Sequence, residues 1–201
     1  MRTEKTESKE DSTNTSTSTS KDSADTISKV ESASDELSAS LDTLLKTGKD
    51  SVFAMKEVTD EAGNVTEQYD ADKAYKAVNE FVTDYNALLD STNASKSQNV
   101  ISASDRMARI AGYNKSSLEK IGITIGEGNK LKIDEAAFKA ADVEDVKKVF
   151  QNEDGFAGQM DTQVSQISYY AEREASKSNT YTSTGAYNNN YNTGTIYTDG
   201  F

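Results

Sequence analysis

The stretch Ala71–Ser91, ADKAYKAVNEFVTDYNALLDS, has the clearest apolar periodicity in the chain. Its apolar side chains recur at steps of three and four residues, which is the spacing of one face of an α-helix. The members of this face are Ala74, Val78, Phe81, Val82, Tyr85, Leu88 and Leu89. The pattern predicts a helix that supplies much of the core. Asp72 is its candidate N-cap, because a carboxylate there can accept a first-turn amide.

A weaker apolar pattern follows over residues 104–120 and predicts a second helix. Ser102 and Asp105 before it resemble a capping box, with Asp in the place usually taken by Glu or Gln. Arg106 and Arg109 lie in the same segment. They are candidate interface charges, which could pair with carboxylates of the 72–90 helix or with another subunit.

Residues 121–125 and 130–133 flank the turn sequence Gly-Glu-Gly-Asn and predict a β-hairpin. The glycines do not indicate a phosphate site, because neither dinucleotide nor P-loop spacing is present and no helix opens directly after them. Asp134 and Asp142 then precede two short helical patterns, and each is a candidate N-cap.

Two heptad-like segments flank this region. The first begins at Asp22, stops before Gly48, and has its apolar positions at Ile27, Val30, Leu37, Leu41 and Leu44. The second ends near Ser176, with apolar positions at Met160, Val164 and Ile167. The row of apolar positions in each segment, its seam, is short. Each helix must therefore pack on another element, either within the chain or on a neighbouring chain.

Between the first heptad segment and the central helix, residues 51–58 and 65–69 read as two short strands joined by a turn over 60–64. Asp60, Asn64 and Asp70 lack the spacing of a calcium loop, so no metal site is expected there.

Composition narrows the function. The 201 residues have a formal net charge of −12 and contain no His and no Cys. Common zinc sites and His-dependent nucleophiles are therefore excluded, and we predict no enzyme activity and no cofactor. An acidic chain without basic clusters is not expected to bind nucleic acid. No apolar run is long enough for membrane insertion, and the first residues do not resemble a secretory signal.

The sequence as a whole predicts a mainly α fold with a small β-hairpin component (α+β), an elongated helical module flanked by disordered tails. The expected divisions are a disordered polar tail (1–21), a heptad helix (22–47), an α+β module (48–156), an amphipathic helix (157–177) and a flexible tail rich in Tyr, Asn and Gly (178–201).

The order of these patterns over residues 72–156 resembles the C-terminal half of the bacterial flagellar hook-associated protein 2 family, the filament cap. The matching positions are Phe81, Val82, Tyr85, Asn86 and Leu88; Arg106 and Arg109; Ile121, Gly122 and Ile123; Gly128, Leu131, Ile133 and Asp134; and Val146 to Phe150. The family has large middle domains and a longer final helix that this chain does not show.

The resemblance implies a helical module that assembles at the tip of the flagellar filament and is exported without a cleaved signal. Its implied partners are other flagellar proteins, such as flagellin or the hook–filament junction proteins, and further copies of itself in a homo-oligomer. The first hypothesis is therefore a structural subunit of the flagellum, similar to a minimal cap or an accessory axial protein. The alternative is a non-polymerising, cytoplasmic interaction module or chaperone-like partner of flagellar proteins.

Overall fold

A computed structural model describes residues 20–59, 64–152 and 154–178. Most of the two predicted tails (1–19 and 179–201) and residues 60–63 of the predicted turn lie outside these ranges.

The described residues form seven α-helices and four short strands. In chain order they are α1 (Ala24–Leu45), β1 (Met55–Thr59), β2 (Val65–Tyr69), α2 (Ala71–Asn93), α3 (Gln98–Tyr113), α4 (Lys115–Lys120), β3 (Ile123–Ile125), β4 (Leu131–Ile133), α5 (Glu135–Ala140), α6 (Val143–Phe150) and α7 (Phe156–Ser178). β1 pairs with β2 and β3 with β4, both antiparallel. The predicted class, mainly α with a small β-hairpin component, is confirmed.

The three longest helices pack together: α2 and α7 both lie along α1, and α3 packs on α7. All thirteen apolar residues predicted for packing are buried in this arrangement. They are Ile27, Val30, Leu37, Leu41 and Leu44 on α1; Val78, Phe81, Val82, Tyr85 and Leu88 on α2; and Met160, Val164 and Ile167 on α7. The seams of α1 and α7 therefore meet within one chain.

Four phenylalanine rings join the bundle to the smaller elements. Phe81 of α2 lies edge-on to Phe150 and Phe156, with ring centroids 5.7 and 5.8 Å away. Phe53 stacks on Phe150 at 6.1 Å. The predicted strand over 51–58 is wrong in its first half, because Phe53 turns into this cluster and pairing begins only at Met55.

The predicted starts of α2 and α3 also need correction. Asp70 caps α2, because its carboxylate accepts from the Lys73 amide at 2.9 Å. Asp72 lies one residue inside the helix and pairs instead with Lys139 of α5, which lowers the pKa of the Asp72 carboxyl. α3 begins at Gln98, so the supposed capping box of Ser102 and Asp105 lies inside the helix.

The caps predicted for α5 and α6 are confirmed. Asp134 accepts from the Ala137 amide and Asp142 from the Glu144 amide, each at 2.8 Å. An α-helix leaves its first four amides without an intrahelical partner, and each of these caps satisfies one of them.

Candidate interaction surface

The described residues offer no metal site: no group of three or more acidic side chains is placed to hold an ion. None of the described helices has the length and apolar character needed to cross a membrane. Candidate functional features are therefore the residues that shape the module and the surfaces that it leaves uncovered.

Arg106 is an internal contact between α3 and α7. Its guanidinium donates to the side-chain oxygens of Gln163 and Gln166, each at 3.2 Å. The prediction that Arg106 pairs with a carboxylate of α2 is wrong, because its guanidinium binds these two glutamines of α7 instead. A contact of Arg106 with another subunit stays a prediction. Arg109 is exposed and remains a candidate interface charge.

A carboxylate far away in sequence satisfies the start of α3. Asp22 accepts from the Ser95 hydroxyl at 2.6 Å and from the backbone amides of Lys96 and Ser97 at 2.5 and 3.3 Å. Ser97 occupies the N-cap position of α3 but makes no capping bond with its own side chain. The segment before α1 thereby anchors α3.

Glu174 of α7 completes the same polar junction. The residue is buried, with 7% of its surface exposed; its carboxylate accepts from the Ser97 hydroxyl at 3.2 Å and pairs with Lys177 at 2.8 Å. Burial raises the pKa of the Glu174 carboxyl, but hydrogen bonds from Lys177, Ser20 and Ser97 outweigh burial and hold that pKa below its usual value. The beginning of α1, the beginning of α3 and the end of α7 are joined here.

Sequence reasoning missed this junction. Asp22 and Glu174 lie 73 or more residues from their partners in α3, and neither fits a local motif. No periodicity or capping pattern could have found them.

Two adjacent residues of α2 hold the second hairpin. Asn86 accepts from the Leu131 amide at 2.8 Å and donates to the Leu131 carbonyl at 2.9 Å, so its amide continues the strand's own hydrogen bonding. Tyr85 donates to the Asn129 carbonyl at 3.3 Å, and burial raises the pKa of its hydroxyl. The Tyr85–Asn86 pair therefore fixes β4 against α2.

The first hairpin, in contrast, is exposed on both faces. Every residue of β1 and the first four of β2 are exposed, and each strand pairs only with the other. Five large hydrophobic side chains are exposed in the described part of the chain, and three of them, Met55, Val58 and Val65, lie on this hairpin. The strand register places Met55 and Val65 on one face of this hairpin and Val58 on the other, so the three do not form one patch. The hairpin is a candidate interaction surface because neither of its faces is covered.

A second uncovered feature is a surface groove of about 270 Å³ between α1 and α7. Serine side chains line much of this groove, and Asp35, Glu172 and Tyr169 also line it. The Ser34 hydroxyl at this seam is buried and has no hydrogen-bond partner among the described residues. The groove is small and acidic, so it suits at most a single side chain.

Comparison with protein families, characterised proteins and solved structures finds no match to this chain.

Proposed function

We propose that this chain is a structural component of the bacterial flagellum that acts through protein–protein assembly, similar to a minimal filament cap or an accessory axial subunit. Its partners under this proposal are flagellin or the hook–filament junction proteins, together with further copies of itself. It reaches the flagellum by export that does not require a cleaved signal.

The observation that carries the proposal is that the residues behind the filament-cap resemblance hold one module together. Phe81 centres the aromatic cluster, Asn86 binds β4, and Asp134 caps α5. Gly122 has φ +78°, and a Cβ there would lie 2.8 Å from the Phe138 nitrogen. At each of these positions there is a physical reason for the residue type. Such reasons support a shared fold more strongly than sequence identity at the same positions would.

A second candidate function is a non-polymerising, cytoplasmic interaction module or chaperone-like partner of flagellar proteins. The closure of the α1 and α7 seams within one chain favours it, because these helices offer no open apolar stripe for coiled-coil pairing. Under this alternative the protein binds a flagellar subunit without entering the filament.

Fractionation of motile cells separates the two functions. Flagella are sheared from the cells and purified, and the protein is quantified by immunoblot in the flagellar and cytosolic fractions. A strain blocked in flagellar export serves as the control for leakage. We expect the protein in the flagellar fraction of the motile strain only. Its restriction to the cytosol would overturn the structural function and leave the cytoplasmic alternative.

A further inference from the structure

The groove between α1 and α7 has carboxylates toward both of its ends and hydroxyls between them. We propose that it binds a linear polyamine, a chain of methylene groups that carries an ammonium at each end. This proposal goes beyond the flagellar function and does not depend on it, because it concerns a site on the purified chain.

The two helices that form the groove run antiparallel. Gln151, just before α7, donates to the carbonyl of Lys46, just after α1. At the opposite end of the pair, Glu174 near the end of α7 accepts a hydrogen bond from Ser20, just before α1. Residues early in α1 therefore face residues late in α7.

The helices carry matching stripes along this groove, in which serines lie between carboxylates. Each stripe follows steps of four, three and four residues, so its members share one face of the helix. On α1 they are Glu31, Asp35, Ser38 and Asp42, and on α7 they are Asp161, Ser165, Ser168 and Glu172. Because the helices are antiparallel, Asp42 and Asp161 lie toward one end, and the other three carboxylates lie toward the other.

Contacts at both ends support this placement. Asp35 and Glu172 line the groove together with the serines. At the far end, burial raises the pKa of the Asp161 carboxyl, and the negative charge of nearby Asp42 raises it further. The groove is therefore flanked by acidic side chains at both ends.

No basic side chain balances this charge in the described part of the chain. The ion pairs that form there involve none of the five carboxylates of the two stripes. Residues 30–45 and 156–172 contain no Lys and no Arg. Arg173, directly after Glu172, donates instead to the Tyr169 hydroxyl at 3.0 Å and lies over that ring. A cation that neutralises the stripes must come from outside these two helices.

A buried hydroxyl in the wall of the groove also lacks a partner. Ser34 lines the groove, is 1% exposed, and makes no side-chain hydrogen bond among the described residues. Buried polar groups without a partner destabilise a fold and are rare for that reason. An ammonium in the groove supplies a donor once the Ser34 hydroxyl turns about χ1 toward it. This hydroxyl points to a polar ligand independently of the carboxylates.

The shape of the groove favours a polyamine over a lysine side chain of a partner protein. Its volume of about 270 Å³ admits a chain no wider than a single side chain. At 1.5 Å per residue, Asp35 and Asp42 are about 10 Å apart along α1, which exceeds the screening length of about 8 Å in physiological salt. One ammonium cannot neutralise both ends, whereas a polyamine places one at each end and its methylene groups between them.

Isothermal titration calorimetry with spermidine, at about 0.15 M salt, tests the site. Asp35→Asn combined with Glu172→Gln should weaken binding roughly fivefold, the worth of two exposed ion pairs. The matched control is Glu67→Gln combined with Glu127→Gln, which removes the same charge from exposed positions on the two hairpins. The control should leave the affinity nearly unchanged.

Ser34→Ala tests the buried hydroxyl separately. It should weaken spermidine binding roughly threefold without lowering the melting temperature, because it removes a hydroxyl that has no partner in the free chain. A lower melting temperature with unchanged affinity would show that this hydroxyl serves the fold and would overturn its part in the site.

A single ammonium tests whether both ends are used. n-Butylammonium should bind more weakly than spermidine, and the groove variant should remove most of that difference. Equal affinity for the two amines would overturn the polyamine assignment and favour a lysine side chain of a partner protein. Undetectable spermidine binding, or equal losses in the groove and control variants, would overturn the site itself.

Discussion

Gly122 illustrates how a single residue sets the shape of the module. It lies between α4 and β3 with φ +78°, a conformation that side chains with a Cβ rarely adopt. The backbone nitrogen of Phe138 and the side chain of Ala137, both in α5, lie within 3 Å of the place that a Cβ at Gly122 would take. Glycine is needed at position 122 for two reasons: the backbone conformation disfavours a Cβ, and α5 leaves no room for one.

Gly122→Ala should therefore lower the free energy of unfolding by about 2–4 kcal/mol, from left-handed strain and overpacking together. Gly128→Ala is the matched control, because Gly128 has φ +65° but nothing lies within 4 Å of its Cβ position. That change should cost only about 1–2 kcal/mol. Urea unfolding of both variants measures the difference, and equal losses would contradict the close packing of α5 on Gly122.

The contribution of Glu174 to the stability of the fold should depend on pH, in a direction that follows from its pKa. Its pKa is lowered in the folded chain, so its charge stabilises the fold above its ordinary pKa, near 4.5. That contribution is lost as pH falls through the lower, folded pKa. Glu174→Gln should destabilise the protein by about 1 kcal/mol at pH 7, and the gap between variant and original chain should close in acid.

Urea unfolding across this pH range checks the prediction. Glu172→Gln is the control, because Glu172 lies on the same helix but is exposed. A gap for Glu174→Gln that is constant with pH would show that the carboxylate is not held in its charged form by the junction.

At the level of secondary-structure elements, local sequence patterns predicted most of the buried helix faces and two of the helix caps. The helix faces followed from steps of three and four residues, and the caps Asp134 and Asp142 from position alone. The cap of α2 was misplaced by two residues, because Asp70 and Asp72 are chemically equivalent and only the contact with Lys139 separates them.

The start of α3 could not have been predicted in this way. Asp22 binds the amides of Lys96 and Ser97, directly before the helix, so the information lies in another part of the chain. The predicted α2 carboxylate partner of Arg106 was wrong for a similar reason. A guanidinium suggests a carboxylate partner, but the neighbouring helix α7 offers two glutamine side chains. The buried residues of the bundle were found from periodicity, but which helices they join depends on the tertiary fold.

The contact from Asp22 to the residues just before α3 is testable. Asp22→Ala should lower the free energy of unfolding by about 1–3 kcal/mol, because amides bound to a carboxylate lose their partner, and should speed exchange of the Lys96 and Ser97 amides and of the first turn of α3. Asp25→Ala is the control, since Asp25 is exposed and pairs only with Lys29 on its own helix. Unchanged exchange in α3 would show that Asp22 does not anchor it.

At the scale of the whole molecule, the outer helices close the core within one chain. α1 contributes Leu37, Leu41 and Leu44, each with no exposed surface, to a hydrophobic cluster that also includes residues of α2 and α7. Assembly with other proteins must then use what remains outside, above all the β1–β2 hairpin and the exposed side of α3.

Hydrogen exchange of the chain, at a concentration where sedimentation shows a monomer, tests most directly whether the outer helices close the core within one chain. If α1 and α7 pack within one chain, their central amides should exchange as slowly as those of α2, because all three helices open only with the shared core. Fast exchange throughout α1 or α7, with residues 71–150 still protected, would contradict the account and show that the outer helices need a second chain.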